Sequence, residues 1–251
     1  MNYETAKRLC ELNTEFYAEH ADSFSASRHA PWPGWSDCLN LIKEDICSDA
    51  QVLNVFDLAC GNLRFESFLR NNCSGLQINY YAVDNCDDLL PQGSQANYQN
   101  LDILDLLFKE QNLNTSFKAP ECDLALCFGF MHHIPLLAHR KAVLESLIKQ
   151  VRPGGYIIVT FWQFMKDEKL RNKALVVHEN ALAELGLPKL SPNDFLLDWN
   201  NIPGTYRYCH SFSDDEIDDL IADVAQQTQL ISRFISDGRS NTLNTYLILS
   251  R

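Results

Sequence analysis

No run in this chain approaches the roughly 20 apolar residues of a membrane-spanning helix, so no membrane partner is expected. The opening stretch MNYETAKRLCELNTEFY has no apolar segment of the signal-peptide kind and reads as an amphipathic helix; the expected location is the cytoplasm. Nine cysteines are scattered without one C-x-x-C pair. An odd count without metal spacing points to reduced, mostly buried thiols, and no metal centre is expected. Positive charge is scarce too, with 21 lysines and arginines against 33 acidic residues and a net charge of −12. That argues against a broad basic face covering nucleic-acid phosphates, while a local patch stays open. No internal repeat, low-complexity tract or linker interrupts the 251 residues, which suffice for one large α/β domain.

What the chain does have is a strand–turn–helix signal at 56–65, FDLACGNLRF. A short apolar run ends at Asp57, a tight Ala59-Cys60-Gly61-Asn62 turn follows, and a helix-compatible stretch begins. In an open α/β sheet such a turn lies at the carboxyl end of a strand, where ligands bind, and the next helix offers free N–H groups. Strands are expected at 52–56, 77–83, 98–101, 123–127 and 156–161, with helices at 63–71, 87–90 and 137–150 between them. This alternation predicts a parallel sheet covered on both faces. Arg152-Pro153-Gly154-Gly155 reads as a turn that stops one helix and launches the last of these strands. Helices are also expected at 2–20, 37–46 and 166–186, with 23–35 breaking the first pattern and 187–210 irregular. Ser213 and Glu216 form a capping box for a helix to about 227. Two β-like runs, 230–235 and 245–249, end the chain as an antiparallel pair.

The order of these pieces resembles the class I S-adenosylmethionine-dependent methyltransferases. The resemblance rests on FDLACGNLRF, YYAVDNC (80–86), LDILD (101–105), CDLALCFGFMHHIP (122–135) and RPGGYIIVTFW (152–162). It implies a Rossmann-like α/β sheet, mostly parallel with an antiparallel C-terminal strand and helices on both faces. Within one domain it implies an N-terminal helical lid (1–48), a cofactor-binding core (49–162), a substrate-side insertion (163–212) and a C-terminal helix with a β pair (213–251). The chain's two ends resemble one branch, the tRNA wobble-uridine carboxymethyl methyltransferases. In FYAEHADSFSASRHAPWPGW (16–35), Phe24, Ser25, Arg28 and Trp32 match, with Ser27 in place of threonine. In FLLDWN (195–200) and YRYCHSFSDDEIDDL (206–220), Arg207, Tyr208, His210 and Phe212 carry the match.

The resemblance implies the site. Asp84, with Asn85 beside it, is placed to accept from both ribose hydroxyls of S-adenosylmethionine. Asp102 and Ile103 are the candidates for the adenine, with Asp105 as a competitor; an aspartate that merely starts a helix is the competing reading. Loop carbonyls around Ala59 and Gly61 would take the ammonium, and Asp57 would anchor the loop or reach that ammonium through water. Asn62 and Arg64 belong to the same loop; Cys127 and Phe128 should lie near the sulfonium, and His133 beside the cofactor or as a cap. Glycine is usual in the family where this chain has Ala59 and Leu63; Leu63 fits if it already lies in the helix's first turn with negative φ. Arg28 and Arg207 are expected to hold an anionic methyl acceptor, with Tyr17, Tyr208 and His210 lining its pocket. For either arginine an ordinary surface cation, and for His210 a packed or capping histidine, is the competing reading. His132 and His133, being adjacent, should not face together on a helix or strand. Trp32 and Trp35 read as lid or core packing.

Three functions remain in play: methylation of a carboxylate on a tRNA wobble uridine, methylation of a carboxylate or hydroxyl of a small metabolite, and a non-catalytic cofactor-binding or interaction module. The resemblance supports the first, and the net charge of −12 speaks against it unless a local patch or a small activator protein supplies positive charge.

Overall fold

The computed structural model describes residues 1–47 and 52–251; the expected lid–core boundary at 48/49 lies outside them. Helix α1 (Tyr3–Ala26) and α2 (Pro33–Cys47) precede an alternating run of β1 (Val52–Leu58), α3 (Arg64–Asn72), β2 (Gln77–Asp84), β3 (Asn97–Asn100), α4 (Ile103–Phe108), α5 (Leu113–Ser116), β4 (Cys122–Cys127), α6 (Leu137–Gln150) and β5 (Val151–Trp162). Then come α7 (Glu168–Leu185), β6 (Asp194–Asp198), β7 (Tyr206–His210), α8 (Asp214–Val224), β8 (Gln229–Ser236) and β9 (Asn244–Ser250). Seven strands form one sheet in the order β3-β2-β1-β4-β5-β9-β8. β1 to β5 are parallel, and β9 runs antiparallel between β5 and β8.

The sheet is buried on both faces because its strands are apolar at consecutive positions. Leu53, Val55, Leu124, Leu126, Tyr246 and Ile248 pack on one side with residues of α2 and α3. Phe56, Leu58, Ala125, Cys127, Leu247 and Leu249 pack on the other with α6 and α8. The two-residue alternation of a strand makes this division, and it demands continuous apolar runs. A second, two-stranded sheet pairs β6 with β7, Leu196 opposite Tyr208.

Three expectations about local structure are corrected. The first helix does not break at 23; it bends at His20 (φ −121°) and runs on to Ala26. Arg152-Pro153-Gly154-Gly155 is not a turn before the strand but a bulge within β5, where the register with β4 shifts between Cys122 and Leu124. Gly155 is required there, since a Cβ would lie 2.7 Å from the Asp123 carbonyl oxygen. Residues 187–210 are not irregular throughout: β6 and β7 form a hairpin whose turn holds Asn200 and Asn201 at φ 51° and 58°. Asparagine tolerates that left-handed backbone better than most residues. The hairpin has its own small cores, Leu196 and Tyr208 with Leu9 and Ala181, and Phe195 and Cys209 with Phe164 and Ala174. The Ser213–Glu216 capping box and the antiparallel ending are as expected.

Helix α1 reaches across to the hairpin. Asn13 accepts from the Tyr208 N–H (2.7 Å) and donates to the Tyr208 carbonyl (3.1 Å), so one buried side chain satisfies both main-chain groups of a strand residue. α1, the hairpin and the carboxyl ends of β1, β2 and β4 thereby enclose one cleft.

Candidate active site

A cavity of about 370 Å³ opens at those strand ends. Its floor is the 59–63 loop. The Cys60 N–H donates to the Val83 carbonyl (3.1 Å) and the Leu63 N–H to the Cys60 carbonyl (3.2 Å). Ala59, Gly61 and Leu63 all take left-handed φ, at 59°, 52° and 55°. Leu63 therefore does not escape into a helical conformation as expected; it flanks α3 in the strained region while its side chain is 1% exposed in the core. Left-handed backbone costs a non-glycine residue about 1–2 kcal/mol. Ala59→Gly is thus expected to stabilise the protein by up to about 1 kcal/mol, whereas Leu63→Gly destabilises by about 2–4 kcal/mol because a buried side chain is lost. Urea unfolding of the two variants tests the opposite signs.

Carboxylates hold the loop. Asp84, at the end of β2, accepts from the Gly61 N–H (2.8 Å) and the Cys86 N–H (3.1 Å). Burial raises its pKa, while the N–H groups of Gly61, Cys86 and Asn85 act in the other direction. Each carboxylate oxygen keeps a further lone pair for a hydroxyl. Asp57 accepts from the Tyr80 hydroxyl (2.6 Å) and is pushed up to about 7 by burial, against that hydrogen bond. Asp102 caps α4 through the Asp105 N–H (2.9 Å) and takes Asn85 Nδ2 on its other oxygen (3.0 Å). Asp105 pairs with Lys109 outside the cleft. Asn62 and Arg64 fasten the segment between α1 and α2 across the opening, donating to the carbonyls of Arg28 (3.4 Å) and Ala30 (3.0 Å).

The other half of the cleft carries two guanidinium groups. Arg28 lies over the Phe24 ring (3.8 Å), and Arg28 and Arg207 each lie 5.5 Å from the Trp199 ring centroid. Burial and then Arg207 push Arg28 down to about 10. Burial also opposes the charge on Arg207, but Cys209 and Tyr17 outweigh it and its pKa is raised. Neither arginine forms an ion pair with a carboxylate among the described residues; Arg28 donates to Ser27 Oγ (3.1 Å) and Arg207 to the Tyr17 hydroxyl (3.4 Å). Tyr17 contacts His133 Nε2 (2.9 Å), and His133 Nδ1 contacts the Tyr208 carbonyl (2.9 Å). Burial, then Arg207, push His133 down to about 3, so it is neutral. With Nδ1 donating to the Tyr208 carbonyl, Nε2 accepts the Tyr17 proton, and Asn13 Nδ2, 3.1 Å from the same Nδ1, gives its proton to the Tyr208 carbonyl instead.

Fourteen of the seventeen expected site residues line this cleft: Tyr17, Arg28, Asp57, Ala59, Gly61, Asn62, Arg64, Asp84, Asn85, Asp102, Ile103, Phe128, His133 and Arg207. Cys127, Tyr208 and His210 stand apart from it. Cys127 is the last residue of β4 and its side chain turns into the core, which leaves Phe128 at the cleft. His210 alternates with Arg207 and Cys209 along β7, so it and Tyr208 face away, into a buried network with Asp194, Glu216 and Arg140. Sequence reasoning had no place in the site for His132, Trp162, Asp237 or Asn244, which also line it. His132 and Trp162 lie within the motifs CDLALCFGFMHHIP and RPGGYIIVTFW, but Asp237 and Asn244 arrive from the β8–β9 connection with no local signal.

Among the described residues, five buried side-chain polar atoms lack a partner: Ser25 Oγ, Trp35 Nε1, His132 Nδ1, His139 Nδ1 and Arg207 Nε. Trp35, His132 and Arg207 all line the cleft. Buried polar atoms are nearly always satisfied, so a cluster of exceptions in one cavity fits a polar ligand. His132, His133 and Cys209 also bring ligand atoms within 4.8 Å of one another. The two histidines do face together, with centroids 4.1 Å apart, because they sit in a 3₁₀ turn (Met131–His133) and not in a regular helix or strand. Both ring nitrogens of His133 are already engaged and two arginines bear on it, which opposes a cation.

Residues 56–159 match the protein family described as a methyltransferase domain. The sheet around that segment has the fold of solved S-adenosylmethionine-dependent methyltransferases. The tRNA (carboxymethyluridine(34)-5-O)-methyltransferase ALKBH8 of Macaca fascicularis is 25% identical over 182 residues, 71% of this chain and 24% of that protein. The chain therefore spans about a quarter of the length of such relatives. A putative methyltransferase of Encephalitozoon cuniculi is 27% identical over 213 residues, 83% of each chain. Among solved structures, the 1,6-didemethyltoxoflavin-N1-methyltransferase of Burkholderia thailandensis superposes with a TM-score of 0.59 at 14% identity, covering 100% of this chain and 90% of that one. Identity that low speaks for the fold. The 59–63 loop, Asp84 and Asp102 lie at or just beyond the carboxyl ends of the parallel strands, where ligands bind in open α/β sheets, and the orphaned atoms fit a polar one. No helix of the described residues is long and apolar enough to cross a membrane.

Proposed function

We propose that the chain transfers a methyl group from S-adenosylmethionine to a carboxylate oxygen of an RNA nucleoside, the carboxymethyl group of a tRNA wobble uridine. The observation that carries this is the pair Arg28 and Arg207, two guanidiniums facing one cleft without a carboxylate partner among the described residues. Leaving two like charges together in a buried place is costly unless an anion joins them. The likeness to the carboxymethyluridine methyltransferases supports the same acceptor.

When bound, the cofactor supplies a methyl on a sulfonium with a good leaving group. The protein's task is then alignment and exclusion of water. Asp84 would take the ribose and Asp102 with Ile103 the adenine; Ala59, Gly61 and Asp57 would hold the ammonium, and Phe128 would pack near the sulfonium. Arg207 and Arg28 hold the acceptor carboxylate. Tyr17 orients Arg207, and neutral His133 fixes Tyr17. A carboxylate needs no deprotonation, in keeping with histidines whose pKa burial has driven down. A small-molecule acceptor is the second reading, favoured by the net charge of −12. A small basic activator protein would reconcile that charge with RNA.

The test incubates the protein with methyl-labelled cofactor and either bulk tRNA from cells lacking its gene or a metabolite extract from them. Label in tRNA, released by mild alkali as an ester would be, is the expected result. Label confined to the small-molecule fraction overturns the RNA acceptor.

A further inference from the structure

We infer that Arg64 and Trp35 together form the binding site for the α-carboxylate at the methionine end of the cofactor. The inference rests on the S-adenosylmethionine reading and not on the identity of the methyl acceptor.

Arg64 is the first residue of α3 and lines the cleft. It has no carboxylate partner among the described residues: its Nη1 donates to the Ala30 carbonyl (3.0 Å) and its Nε to Asn62 Oδ1 (3.2 Å). A guanidinium has five N–H donors, so three remain. The guanidinium carbon sits 5.4 Å from the Trp35 ring centroid and 5.7 Å from that of Trp32, which fixes its place by cation–π contact. Burial lowers the Arg64 pKa, as expected of a cation removed from water without an opposite charge. Trp35 is 3% exposed and its indole Nε1 has no partner. Leu63, which flanks the start of α3, supplies no side-chain cap, so the helix's first turn adds uncapped N–H groups beside them.

The charge pattern of the cleft then sets the direction in which an amino-acid end lies. Asp57, Asp84 and Asp102 line the cleft at or just after the strand ends, and Arg64 with Trp35 lines it at the start of α3 and α2; Asp237 lines it too, but its oxygens are already taken by the Gly34 N–H, Asn244 and the Tyr246 hydroxyl. An ammonium is attracted to the three aspartates and a carboxylate to Arg64 and Trp35; the reverse pose sets carboxylate against carboxylate and leaves Trp35 Nε1 unsatisfied. Arg28 is the other cation in reach, but its guanidinium rests on Phe24 next to Trp199 and is coupled to Arg207. A side-chain clamp also suits a loop in which Ala59, left-handed at φ 59°, brings a methyl group where backbone alone would face the ligand.

The test compares binding of S-adenosylhomocysteine with its decarboxylated analogue, which differs by the carboxylate alone, by calorimetry in the absence of any acceptor. The unaltered protein should prefer the carboxylate form by about 30-fold, the size expected for a charged hydrogen-bonded pair. Arg64→Leu should reduce that preference to about threefold or less by weakening only the carboxylate form, and Trp35→Phe, which keeps the ring and removes the donor, should reduce it in part. An undiminished preference in both variants, or its loss in Arg28→Leu instead, overturns the assignment. Failure of both nucleosides to bind the unaltered protein overturns it together with the cofactor reading, whatever the methyl acceptor proves to be.

Discussion

Arg207→Leu is expected to lower kcat/KM for the carboxylate acceptor by about 100- to 1000-fold, the cost of removing one partner of a buried charged hydrogen-bonded pair. Cofactor affinity should stay within about twofold. The separation follows from geometry: Arg207 touches Tyr17 and lies beside Trp199, Phe16 and Trp162, whereas Asp84 and the 59–63 loop form the other half of the cleft. Leucine fills much of the space, so the fold is retained, and Arg207→Lys restores part of the charge without the planar fork. Calorimetric titration with S-adenosylhomocysteine alongside steady-state kinetics checks both halves. Equal losses in cofactor affinity and turnover would show that Arg207 supports the fold and does not hold the acceptor.

Arg140→Met is expected to destabilise the protein by about 3–5 kcal/mol, because it strips a buried ion network of its cation. Arg140 and Asp194 are both about 4% exposed and 3.8 Å apart, and Arg140 is also 3.7 Å from Glu216. His210 bridges the same two carboxylates, Nδ1 to Asp194 (2.7 Å) and Nε2 to Glu216 (3.0 Å), and the Tyr208 hydroxyl donates to Asp194 (2.6 Å). These contacts bind α6, the hairpin and α8 into one unit, so the loss should appear as a lower midpoint in urea. Burial works to raise the Glu216 pKa, but His210 and the Ser213 N–H outweigh it and hold it at about 2, below the ordinary 4.5. A depressed folded-state value means that this contribution is complete above pH 4.5 and is lost as pH falls toward 2. Acid titration of stability should therefore show a decline in that window that Glu216→Gln lacks. A variant with an unchanged midpoint would mean that the network is not what joins these elements.

Much of this protein was legible in its sequence. Residues 56–65 announced strand, turn and helix because an apolar run, a small-residue turn and a polar helix obey local rules, and the alternation after them forced a parallel sheet. Asp84 and Asp102 were legible for the same reason, since a residue at a strand's carboxyl end can be located from the strand alone. Less local features were read less well. The 187–210 segment hid a hairpin because its two strands are five residues each and gain their burial from α1 and α7, not from their own pattern.

Direction of side chains marks the remaining boundary. Sequence alone put Arg207 and His210 in one motif and assigned both to the acceptor; the pleat of β7 sends Arg207 into the cleft and His210 into the Arg140 network. It placed a glycine-poor loop but not the backbone that loop adopts, which the Val83 carbonyl and the Asp84 carboxylate impose from a neighbouring strand. Composition determined that the chain is acidic; only the tertiary structure decided that Arg28, Arg64 and Arg207, from the segment between α1 and α2, from α3 and from β7, converge on one cavity. Periodicity and turn chemistry act over a few residues and are written in order along the chain. Charge convergence depends on which elements pack together, and that is settled by the burial of the whole sheet.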